Sequence, residues 1–118
     1  MALPNCSLSI FEPLRSIAYS SITSSYVGVG TSFVNPIRMF TLVNTSDASI
    51  LVSFNGIDDQ IVVPGEVARV FDICANKSDQ AGYLEQGIGT RVYVKWETGT
   101  GISGKFYVEV MYASNTGG

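Results

Sequence analysis

The sequence predicts an all-β protein: a single-domain antiparallel β-sandwich, jelly-roll or immunoglobulin-like, with eight or nine short strands. Across residues 38–76, short runs of β-branched and aromatic side chains alternate with compact turns rich in Asn, Asp, Gly and Pro. This alternation is typical of short strands joined by tight connections. The chain has 118 residues, enough for one domain whose core needs neither a metal nor a disulfide.

The first third of the chain predicts an arm followed by three strands. Residues 1–13 contain Pro4 and Pro13 and are predicted to form an N-terminal arm, either an extended tail or a strand added to a neighbour. The sandwich is expected to span residues 14–113, and its first strands are predicted at 15–22, 26–33 and 37–44. Gly28 and Gly30 indicate a bulge or a close backbone approach in the second of them.

The rest of the chain predicts five more strands, at 50–54, 60–63, 66–74, 90–96 and 105–113. Asn55-Gly56 and Pro64-Gly65 are turn dipeptides between the earlier ones. Residues 75–86 form the longest polar stretch and are expected to be a loop. Residues 114–118 are expected to be a flexible C-terminal tail.

The composition argues against several classes of partner. Only seven Lys and Arg residues occur, scattered along a chain of net charge −3, so we expect no nucleic-acid binding. No apolar run is long enough for a membrane span, and the N-terminus lacks the features of a secretory signal. Cys6 and Cys74 are expected to be free thiols, with a bridge between them as the alternative.

The residues needed for common catalytic sites are missing or badly spaced. The chain contains no histidine, which removes the usual nucleophilic triads and most zinc sites. Asp58 and Asp59 follow a turn that could hold calcium, but no Glu closes an EF-hand loop, and solvated turn acids are the preferred interpretation. We therefore predict that the protein is not an enzyme and uses no metal or cofactor.

Aromatic and acidic side chains supply candidates for a protein interface. Phe40, Tyr93 and Tyr107 are predicted to point away from the main apolar row of their strands, and aromatic anchors concentrate at interfaces. A two-sheet core would bury some of them instead, and both interpretations stay open. The full set of candidate interface residues is Phe11, Phe40, Asp58, Asp59, Tyr93 and Tyr107.

One further pattern covers residues 15–113. It consists of VSFNG followed by a polar loop, then VPG, a strand ending FDICANK, and a terminal YVEVMYA. In this order the chain resembles small virion proteins of tailed bacteriophages. The resemblance implies a jelly-roll or immunoglobulin-like module that decorates or cements a capsid, or that joins parts of the neck and tail as an adaptor or fibre anchor. It carries over no active site.

The resemblance also implies a location and partners. The protein would be made in the cytoplasm of the host bacterium and would end up in the virion. It would bind the major capsid protein or the portal and tail proteins, as a homo-oligomer or symmetric array. The alternative from another class is a carbohydrate- or cell-surface-binding module, in which Trp96 and tyrosines stack on sugar rings.

Overall fold

The computed structural model describes residues 9–35, 37–72 and 89–113 and contains nine strands in two antiparallel sheets. A predicted all-β sandwich is therefore confirmed. The strands are β1 (Ser9–Phe11), β2 (Arg15–Ala18), β3 (Val27–Val29), β4 (Ile37–Asn44), β5 (Ile50–Ser53), β6 (Ile61–Val63), β7 (Val67–Asp72), β8 (Val92–Trp96) and β9 (Lys105–Ala113).

The order of the strands is that of a jelly roll. The five-stranded sheet has the order β1-β9-β4-β7, with β2 also paired to β9, and the four-stranded sheet has the order β3-β8-β5-β6. Successive strands mostly cross from one sheet to the other, and the first strands lie beside the last one. An immunoglobulin sandwich instead places its first two strands next to each other in one sheet. The jelly-roll alternative of the prediction is the one that the strand order supports.

β1 and β2 form one edge strand interrupted by a bulge. Phe11 lies opposite Met111, whereas Arg15 lies opposite Val108, so three residues on the edge strand face two on β9. The N–H of Glu12 still donates to the carbonyl of Val110 at 2.9 Å. Residues 9–11, assigned to the arm by the sequence, thus pair within their own chain. Residues 1–8 lie outside the described residues.

The core lies between the sheets and is built from alternate strand positions. Val92, Val94 and Trp96 on β8 face Phe106, Val108 and Val110 on β9, and all six are buried. Alternation of this kind follows from the twofold period of a strand with one covered face. The core is completed by Ile22, Val29, Phe33, Phe40, Leu42, Ile50, Val52 and Val63.

Asn44 is a polar group inside this core. Its side-chain amide donates to the carbonyl oxygens of Ala48, Val63 and Pro64 at 2.8–3.2 Å, and its Oδ1 accepts from Ser46. Asn44 ends β4 in one sheet, and Val63 ends β6 in the other. The amide therefore ties the sheets together through groups that would otherwise be buried without partners.

Most strand boundaries agree with the prediction, and the differences have local causes. The bounds of β4 and β9 are those predicted. The strand predicted at 26–33 ends at Val29 because Gly30 has φ +64°. The strand predicted at 15–22 gives way to a 3₁₀ turn over Tyr19–Ser21. The predicted loop at 75–86, the tail at 114–118 and both cysteines lie outside the described residues.

Candidate protein-binding surface

The outer face of the five-stranded sheet carries contiguous apolar rows. The strand registers place Phe11, Met111 and Met39 side by side in one row that ends at Asp72. They place Tyr107, Val43 and Ala68 in another row that begins at Ser16. Between these rows lie Glu109, Thr41 and Val70. The solvent face of an antiparallel sheet is usually polar, so this apolar character marks the face as a candidate binding surface.

The exposure of these side chains supports that assignment. Phe11 is 66% exposed and Val70 is 62% exposed, whereas Met39, Val43, Tyr107 and Met111 are half-buried by their neighbours in the sheet. Phe11 and Tyr107, two of the predicted interface residues, thus lie on one face. We call this face, defined by Phe11, Met39, Thr41, Val43, Val70, Tyr107 and Met111, the outer apolar face.

A buried ion pair positions Phe11 on this surface. The bulge shifts the side-chain alternation by one residue, which brings Glu12 and Arg15 to the same inner side of the edge strand. Arg15 Nη2 lies 2.7 Å from Glu12 Oε1, and the two residues are only 6% and 5% exposed. Because Glu12 points into the molecule, the side chain of the preceding residue, Phe11, points to the outer side.

Both members of the pair also hold the loop that follows β3. Glu12 Oε2 accepts from the backbone N–H groups of Val34 and Asn35 and from the Asn35 side chain, at 2.9–3.2 Å. Arg15 donates to the carbonyls of Thr31 and Ser32 at 2.8 and 3.0 Å. Burial alone would raise the pKa of Glu12, but the bonds from Asn35 and Arg15 outweigh it, so its pKa is lowered.

The predicted residues Asp58, Asp59 and Tyr93 gather on the opposite side of the molecule. Tyr26 Oη donates to Asp59 Oδ1 at 2.6 Å, and Lys95 Nζ lies 3.4 Å from the same oxygen. The Tyr26 hydroxyl is the main cause of the lowered pKa of Asp59. The pKa of Tyr26 is raised by burial and by the bond to this carboxylate. These groups satisfy one another at the surface of the four-stranded sheet.

Asp58 and Tyr93 lie in the same region of the surface of the four-stranded sheet. Asp58 Oδ2 accepts from the Asn55 side chain at 2.9 Å, and the Asn55 Oδ1 accepts from two backbone N–H groups of its own turn. The ring of Tyr93 packs under Gly56, where a β-carbon would meet it at 3.6 Å. In the described residues no group of three or more His, Cys, Asp or Glu side chains could hold a metal ion.

Phe40 belongs to the core and not to a surface. It is 7% exposed, stacks on Phe71 with ring centroids 4.8 Å apart, and meets Phe54 edge-on at 5.6 Å. Phe40 points away from the row of Ile37, Met39 and Val43, as predicted, but its own row is the one that faces the other sheet. Of the two interpretations left open for Phe40, the structure supports burial in the core. Because the row of Phe40 also contains the polar residues Asn44 and Arg38, the sequence did not identify it as the row that faces the core.

Trp96 is also enclosed. It is 5% exposed, and its indole N–H donates to the carbonyl of Ile22 at 2.9 Å. The carbohydrate-binding alternative used this ring as a stacking platform, and in the structure the ring packs inside the sandwich. Among the described residues, Tyr26 and Tyr93 are partly exposed aromatics on that side.

Sequence reasoning did not identify Val70 or the edge strand β7 as surface features. Val70 sits in an alternating strand whose pattern predicts half-burial, and its exposure depends on β7 being the last of the described strands in its sheet. No helix within the described ranges has the length and hydropathy needed to cross a membrane.

Comparison with known proteins gives no match: no family model, no curated protein and no solved structure is significantly similar to this chain.

Proposed function

We propose that this chain is a structural protein of a tailed-bacteriophage virion that decorates or cements the capsid by binding other virion proteins. The outer apolar face is the observation that supports a binding role. The assignment to a virion rests on the sequence resemblance alone. A place in the neck or tail is the alternative within the same class.

The outer apolar face suits a contact repeated by symmetry. Most of its side chains stand on β9 and β4, each paired on both sides, so this part of the surface is rigid before binding and little conformational entropy is lost on contact. Thr41 at its centre and the neighbouring Glu109 add polar atoms that can fix the orientation of a partner. Many weak contacts of this kind add up when they are repeated over a shell or ring.

The jelly roll itself does not decide between the proposed role and the carbohydrate-binding alternative, because capsid proteins and lectins both use it. The enclosure of Trp96 removes the strongest stacking group from that alternative. A glycan array probed with the purified protein would show binding if the alternative is correct.

Copy number in purified particles is the direct test. A number close to that of the major capsid protein supports decoration, and a number matching a small ring supports the neck or tail. Absence of the protein from purified particles refutes a structural role.

A variant links the copy number to the surface. Thr41→Lys places a charge at the centre of the outer apolar face without touching the core, and we expect it to fold but to be lost from particles. Val62→Lys is the matched control, since Val62 is exposed on the other sheet. Equal incorporation of both variants would show that the outer apolar face is not the binding surface.

A further inference from the structure

We propose that two copies of this chain join through β7, which pairs antiparallel with β7 of the second copy and makes one continuous sheet. The inference goes beyond the virion role, because such a dimer forms whether or not the protein enters a particle. It rests on the contrast between β7 and the other sheet edges and on the charges along β7.

The described strands form four sheet edges, and three of them are short or irregular, as edges protected against pairing usually are. The β1–β2 edge is broken by the bulge around Pro13. β3 and β6 have three residues each, and Pro64 follows β6 directly. The side chain of Arg91 lies over Gly28 of β3 and donates from its Nε to the carbonyl of Gly30 at 2.7 Å.

β7 has none of these devices. It runs for six residues, contains no proline, and pairs with β4 from Val67 to Asp72 without a register shift. Within the described residues no strand pairs with its other side. All of its residues except Phe71 are exposed. A long, regular and partly apolar edge of this kind is a template for another strand.

The sequence of β7 selects one register for a twofold pair. Opposed residues of an antiparallel pair point to the same face of the sheet. With a twofold axis perpendicular to the sheet, the inner faces of the two copies are therefore continuous only when odd-numbered residues lie opposite odd-numbered ones and even-numbered residues opposite even-numbered ones. Pairing centred on Arg69 sets the two Arg69 side chains against each other and brings Glu66 close to Asp72. Pairing centred on Ala68 or on Phe71 uses only three described residues of β7, 67–69 or 70–72.

Pairing centred on Val70 avoids both problems. Val70 meets its copy on the outer face, Ala68 lies opposite Asp72, and five residues of each strand take part. On the inner face Arg69 lies opposite Phe71, the same combination that makes a cation–π contact within the chain at 5.2 Å. No like charges are then opposite each other, so a second copy of β7 is a complementary partner for β7.

The dimer also enlarges the outer apolar face. Val70 lies beside Thr41 in the sheet register, so the two outer apolar faces become continuous across the Val70–Val70 contact. Strand pairing of five residues buries a small area, and we expect a dimer that dissociates on dilution.

The first measurement is the mass of the full chain in solution. Light scattering across a dilution series is expected to give twice the chain mass of 12.7 kDa at high concentration. Val70→Lys sets two ammonium groups against each other at the axis and is expected to abolish the dimer. Ile102→Lys, at an exposed loop position, is the matched control and is expected to leave it intact. A monomer at every concentration overturns the proposal.

Engineered cysteines test the register and do not depend on the behaviour of the lysine variant. In a background with Cys6→Ser and Cys74→Ser, Val70→Cys is expected to form a disulfide-linked dimer on oxidation, because directly opposed residues lie within disulfide reach. Ala68→Cys is expected not to do so, since the two positions would be about 14 Å apart. A mixture of Ala68→Cys and Asp72→Cys chains is expected to cross-link. Cross-linking of Ala68→Cys as readily as Val70→Cys, or a dimer that persists in Val70→Lys, overturns the proposal.

Discussion

Replacing Glu12 by Gln measures how strongly the buried ion pair holds the interrupted edge strand. Gln keeps the shape of the side chain but removes the charge that faces Arg15 at 2.7 Å. The Arg15 guanidinium then stays buried without a counter-charge, and Arg15 Nη1 already has no hydrogen-bond partner among the described residues. Breaking a buried pair by removing one member costs about 3–5 kcal/mol.

We therefore expect Glu12→Gln to lower the free energy of unfolding by about 3–5 kcal/mol. This is a large share of the roughly 5–15 kcal/mol available to an ordinary domain. Urea denaturation followed by Trp96 fluorescence is a suitable assay. With a slope of about 2 kcal/mol per molar urea, the midpoint should fall by roughly 2 M.

The double variant Glu12→Gln/Arg15→Met provides the control. It removes both charges, and exchanging a whole buried pair for neutral groups costs far less than breaking it. We expect the double variant to be more stable than the sum of the single changes by about 1.5 kcal/mol or more. A loss under about 1 kcal/mol for Glu12→Gln, or strictly additive single changes, would refute this account of the pair.

Three other predictions follow from particular contacts. Because the pKa of Glu12 is lowered on folding, its contribution to stability should be complete above about pH 4.3 and should disappear as the pH falls through the lower pKa of the folded state. Denaturation curves of the wild type and Glu12→Gln over that range will show whether the slope of the unfolding free energy against pH depends on this group. Gly104→Ala should lower the melting temperature more than Gly99→Ala: both positions have positive φ, but only at Gly104 would a β-carbon collide with backbone atoms, those of Thr45 and the Cα of Ser46 at 2.6 Å. Equal decreases in melting temperature would argue against a steric cause. Tyr26→Phe should raise the pKa of Asp59 measured by NMR titration more than Lys95→Met does, since the tyrosine hydroxyl is its main stabilising partner, and the reverse order would contradict that ranking.

The strands could be predicted from sequence because their signals are local. β4 and β9 each combine a run of apolar residues with turn residues at both ends, and their bounds agree with the structure. The alternation in β9 also oriented Tyr107 correctly. A strand that carries its own pattern needs no information from its neighbours.

The candidate binding surface depends on contacts between residues that are distant in the chain, so it could not be predicted from local sequence patterns. The direction of Phe40 is set by which row of β4 faces the other sheet, and buried Asn44 makes that row look polar until its bonds to Val63 and Pro64 are seen. The joint burial of Glu12 and Arg15 depends on one extra residue opposite β9. The exposure of Val70 depends on strand order. None of these features is signalled by a pattern in the few residues on either side of the position concerned.

The contact between the bulge and the loop after β3 determines how the molecule would respond to mechanical force. A pull on the N-terminal end of β1 would reach Glu12 after only a few residues, and Glu12 is bonded to Val34 and Asn35. Arg15 is likewise attached to Thr31 and Ser32, next to the Gly30 carbonyl that Arg91 holds from the four-stranded sheet. Load would thus pass from the edge of one sheet into the other instead of peeling β1 and β2 away in succession. In a force spectroscopy experiment Glu12→Gln should lower the rupture force for pulling from this end, and an unchanged force would show that the load takes another path.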